Sequence, residues 1–151
     1  MMTNPELRAA LIAAFPPLPI TRATIHTADA RWAGYEERDA LPLIEGKSWV
    51  ELTPEILERH AALLVYAGGG LYRAILPAYL LVIVEHEYST SLPFHVVSQL
   101  TCMDSKFDRE ILNERVGPMT AEQRDVVRRA IAIVAEQPLL REVGSVAIRS
   151  W

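Results

Sequence analysis

Polar and apolar positions divide this chain unevenly. The 43 residues from Ala61 to Met103 contain only Arg73, Glu85 and Glu87 of the charged types, and the flanks carry nearly all the rest. A segment that apolar has no polar face to offer water, so it is expected to form the centre around which both ends wrap. Within it, Pro77 to Val84 is apolar on every side, which predicts a helix enclosed by other helices. Leu81-Val82-Ile83-Val84 also fits a buried strand, but Ala78 and the length of the run favour helix.

The flanks carry helix signals. Thr3 and Glu6 stand in capping-box relation. Leu7, Leu11, Ala14 and Phe15 follow as an apolar stripe that Pro16, Pro17 and Pro19 bring to an end. Residues 16 to 30 read as an extended connection with Ile20 and Ile25 turned inward. From Asp29 to Glu45 the pattern is ambiguous, because Pro42 confines a helix to one beginning near Asp39, with proline in its first turn. Thr53-Pro54-Glu55 is a clearer start, and Ile56, Leu57, Ala61 and Leu64 supply the buried face of its helix.

Gly68-Gly69-Gly70 terminates that helix, and the next one bends or restarts at Pro77. Leu92 to Leu100 predicts a short helix opened by Pro93, and Asp104 to Arg115 a polar outer one. Thr120 and Gln123 form a second capping box ahead of the stripe Val126, Val127, Ala130, Ile131 and Val134. That helix runs to Glu136, carries the Asp125/Arg129 pair on its opposite face, and ends at Pro138. The tail from Leu139 to Trp151 fits strand or helix. The expected fold is all-α, a bundle of about six helices around the central apolar helix near Pro77–Val84. Residues 1–151 form one domain in this reading, without internal repeat or linker.

Composition narrows the function classes without choosing one. Half the residues are hydrophobic and 23% are charged, the balance of a globular chain. A net charge of −4 argues against nucleic acid as a partner. Cys102 is the single cysteine, so no intramolecular disulfide forms, and its expected role is a small apolar filler. The N-terminus lacks a basic segment followed by an apolar one, and the 11 residues from Ala74 to Val84 fall short of a membrane span. The expectation is a soluble, cytoplasmic protein with no membrane contact.

No catalytic constellation stands out, and none of the candidate motifs completes a cofactor site. Gly46-Lys47-Ser48 resembles the end of a phosphate loop, but Leu41 occupies the position of the leading glycine and Glu45 would repel phosphate. An ordinary turn is expected there. His26, His60, His86 and His95 make no His-Glu-x-x-His pattern. His60 lies near an apolar stripe and is expected as a hydrogen-bonded core histidine. A three-ligand metal site from His86, Glu87 and His95 is conceivable. No nucleophile elbow is present, and the carboxylate pairs Glu36-Glu37 and Glu85/Glu87 read as solvated charge.

Trp32, Tyr35 and Trp49 flank the acidic residues Glu36, Glu37 and Asp39. Aromatics beside carboxylates make anchors for a basic protein partner. The competing account is that the tryptophans close the core.

Three segments carry a resemblance. Gly46-Lys47-Ser48-Trp49, the run Leu71-Tyr72-Arg73-Ala74-Ile75-Leu76-Pro77-Ala78-Tyr79-Leu80, and Met119-Thr120-Ala121-Glu122-Gln123 resemble a family of small bacterial proteins of unknown function. That family carries a Gly-Lys-x-Trp turn, a Tyr-x-Leu-Pro-Ala-Tyr core segment and a Leu-Thr-x-Glu-Gln helix start. The triple glycine departs from its Thr/Ser-Pro-Glu element. The resemblance implies a compact helical bacterial domain and supplies no functional residues. Two readings are open, the immunity role in the first coming from the general type of protein and not from these residues. One is a non-enzymatic protein-binding module, such as an immunity protein neutralising a toxin, using Trp32, Tyr35, Glu36, Glu37 and Asp39. The other is a metal-assisted enzyme or small-ligand binder near His86 and His95.

Overall fold

The structure, a computed structural model, describes residues 4–26, 35–85, 92–100 and 106–151. Among these residues every regular element is helical, as the all-α expectation holds. The first six helices are α1 (Asn4–Ala14), α2 (Arg22–His26), α3 (Tyr35–Ile44), α4 (Pro54–Arg59), α5 (Leu63–Tyr66) and α6 (Gly69–Glu85). They are followed by α7 (Leu92–Ser98), α8 (Lys106–Val116), α9 (Ala121–Ala135) and α10 (Arg141–Ser150).

Helix α6 is the axis of the bundle. It is buried without a break from Ile75 through Ile83, and α1, α2, α4, α5, α7, α8 and α9 all pack on it. Pro77 sits inside the helix rather than restarting it. Its missing amide costs one intrahelical bond, which burial of the surrounding Leu, Ile and Tyr side chains outweighs. The stripes of the flanking helices behave as their spacing predicts. Leu7, Leu11 and Ala14 of α1 and Val126, Val127, Ala130, Ile131 and Val134 of α9 are all buried. Thr120 and Gln123 cap each other at the start of α9, and Thr53 caps α4.

Several boundaries differ from the sequence reading. The connection after Pro19 is not extended throughout, because Thr21 Oγ1 accepts from the Thr24 amide and opens α2. Helix α3 starts at Tyr35, so Pro42 falls in its last turn rather than its first. Burial of Ala40 and Ile44 holds that turn, and the Glu45 amide still reaches the Leu41 carbonyl. The helix expected from Thr53 to Leu64 breaks at His60, giving α4 and α5, while Gly69 and Gly70 belong to the first turn of α6. The tail resolves to helix, α10. These splits and additions bring the helices among the described residues to ten, where about six were expected.

Helix ends are tied to distant chain. The Ala14 and Phe15 carbonyls at the end of α1 accept from Gln123 Nε2 and Trp49 Nε1 at 2.9 and 2.8 Å. Ile20 and the Gly46-Lys47 turn exchange two backbone bonds of 2.8 Å, and Gly46 supplies the positive φ of +80° that this turn requires. The phosphate-loop resemblance thus resolves to a turn clasped to the chain before α2.

Candidate functional site

Four of the five sequence-predicted partner residues fall on one element. Tyr35, Glu36, Glu37 and Asp39 occupy the first half of α3, and Ala40 and Ile44 in its second half are buried in the core. Trp32 lies outside the described residues. Trp49, the third aromatic, is 3% exposed and donates to Phe15, so it closes the core.

The metal reading falls mostly outside the described residues. His86 and Glu87 lie outside the described residues, as does Cys102. His95 is exposed on α7. Among the described residues no group of three histidine, cysteine, aspartate or glutamate side chains is placed to hold an ion. No helix among them is long and apolar enough to cross a membrane. His60 corrects its expectation in part. It is buried at the end of α4, but its Nε2 has no hydrogen-bond partner among the described residues. Its backbone carbonyl accepts from Tyr79 Oη at 2.6 Å.

Arginines supply the polar chemistry that the sequence reading missed. Arg73 on α6 donates through Nη1 to the Glu114 and Arg115 carbonyls, both at 3.0 Å. Arg124 on α9 donates to the Val116 and Gly117 carbonyls. Two cations therefore occupy the negative end of α8 and satisfy carbonyls that have no partner in the helix. Arg115 goes further inward. It is 6% exposed, donates to the Val65 and Ala67 carbonyls and to Gln99, and lies over the Tyr72 ring. Burial pulls the Arg115 guanidinium below its ordinary pKa and pushes the Tyr72 phenol well above its own. No carboxylate lies within ion-pair distance of Arg115 among the described residues.

Two grooves share Trp49 as a wall. The smaller, about 290 Å³, carries mixed charge: Arg8 and Glu85, 3.8 Å apart, together with Glu51. The larger, about 390 Å³, lies between the end of α1, the turn before α2, α6 and the start of α9. Its walls are Phe15, Pro16, Pro19, Trp49 and Pro118, and Arg73 is the single charged residue lining it among those described.

Compared with protein families, curated proteins and solved structures, the chain has no match in any of the three.

Proposed function

We infer that the protein is a non-enzymatic binding module that engages a basic partner protein through the first half of α3, as a cytoplasmic immunity protein engages the toxin it neutralises. The observation that supports this reading most is the continuity of α3. One helix gathers Tyr35, Glu36, Glu37 and Asp39 within about 6 Å of axial rise. Ala40 and Ile44, further along the same helix, are buried in the core, so α3 itself belongs to the bundle. The net charge of −4 adds long-range attraction for a basic partner and speeds encounter.

Isolation from the native host at native expression, followed by mass spectrometry, tests the reading. A single stoichiometric basic companion is the expected result. A partnerless protein would contradict the reading.

A further inference from the structure

The larger groove combines open, largely apolar walls with one cation that has donors to spare. A guanidinium carries five N–H donors. Arg73 Nη1 spends its donors on the Glu114 and Arg115 carbonyls, and Nη2 and Nε have no partner among the described residues. The other polar side chains lining it are already at least partly engaged. Gln123 donates to Ala14 and accepts from Thr120, and Trp49 donates to Phe15. Thr24 is bonded to Thr21. What the groove offers a ligand is therefore one positive fork in a setting of proline and aromatic rings.

We propose that this groove binds a small monocarboxylate with a compact ring body, its carboxylate on Arg73 and its ring between Pro16, Pro19, Trp49 and Pro118. Nη2 and Nε present two parallel donors, the geometry that a carboxylate accepts in bidentate fashion. A monoanion fits better than a phosphate dianion, because the Glu114 carboxylate already acts on Arg73 and reduces the local positive field. A volume of about 390 Å³ is at the small end of ligand pockets, which sets the occupant near one ring and a short tether. Arg73 is partly desolvated, which strengthens a charge-assisted bond relative to one in open water. The site is separate from α3 and stands whether or not the partner reading does.

The test is an NMR titration of the full chain at low salt with three near-isosteric probes: phenylpropionate, phenylpropanol and phenylpropylamine. The proposal predicts that phenylpropionate shifts the Trp49 indole N–H, Ala74 and the Gln123 side-chain amide. It predicts binding on the order of tenfold tighter than the alcohol, with the amine weakest. Arg73→Gln should abolish the preference for the acid. That variant also releases two carbonyls of α8, so Leu18→Glu provides the second reading. Leu18 lines the groove and is 70% exposed, so a carboxylate there leaves the core untouched and competes for Arg73. It should weaken phenylpropionate severalfold and leave the alcohol unchanged. Equal binding of the three probes, shifts confined to other surfaces, or indifference of phenylpropionate to Leu18→Glu would overturn the proposal.

Discussion

The guanidinium carbon of Arg115 lies 4.6 Å from the centroid of the Tyr72 ring. The pair solves a problem that the bundle sets itself. Residues Val65 and Ala67 flank the end of α5 and leave carbonyls that no later turn of that helix can satisfy. Arg115 reaches across from α8 to take both, and the ring face of Tyr72 supports its charge where water cannot.

Replacement of Arg115 by methionine keeps much of the volume and leaves those carbonyls and Gln99 unpaired. The expected loss is about 2–4 kcal/mol of unfolding free energy. Tyr72→Phe retains the ring face and removes only the 3.3 Å bond to the Gln99 carbonyl, so it should cost about 0.5–1 kcal/mol. Urea denaturation of both variants checks the order. A larger loss for Tyr72→Phe than for Arg115→Met would refute the assignment.

Helices α9 and α10 approach closely at Gly144. A Cβ built there meets the Ala135 Cβ at 2.5 Å. Gly144→Ala should destabilise by about 1–3 kcal/mol despite its better helix propensity. Ala135→Gly in the same chain should restore part of the loss, and a double-mutant cycle measures the coupling. Simple additivity would mean that the two helices do not meet there.

Acid sensitivity has one identifiable source in Glu51. Its carboxylate accepts from the Ser48 amide and hydroxyl at 2.7 and 2.8 Å, and these bonds hold its pKa below that of a free glutamate. A folded value lower than the unfolded one means that the contribution is complete above the unfolded pKa. It disappears as pH falls through the folded value. Glu51→Gln should therefore be less stable than the parent at neutral pH. The two should converge as pH drops below the ordinary carboxylate range. Parallel stability curves down to low pH would refute this role.

How far the sequence could be read depends on how local each cause is. The caps Thr53 and Thr120, the stripe of α9 and the apolar α6 are encoded within one or two turns, and all stand where the pattern put them. Helix α2 was missed because five residues make a helix only with tertiary help, here packing on α6 and the Arg22–Glu45 pair at 2.9 Å. Thr21-x-x-Thr24 was the available signal. In the sequence Arg115 closes a polar outer helix, where charge normally faces water. Its burial depends on carbonyls about 50 residues away that no spacing rule connects. The Arg73 groove is likewise assembled from segments near residues 15–24, 49, 73 and 118–123. Its charge was visible in the sequence as the lone arginine of the central segment, but its walls were not.

We propose that the acidic half of α3 recruits a basic partner. The most direct measurement is the association rate of the isolated companion with the parent protein and with a Glu36→Lys, Glu37→Lys, Asp39→Lys variant, at two salt concentrations. The variant also places cations at the positive end of α3, so its fold is checked by circular dichroism alongside. The account predicts a variant that remains helical, associates on the order of tenfold more slowly and loses most of its salt dependence. A folded variant that binds the companion at the parental rate would contradict it.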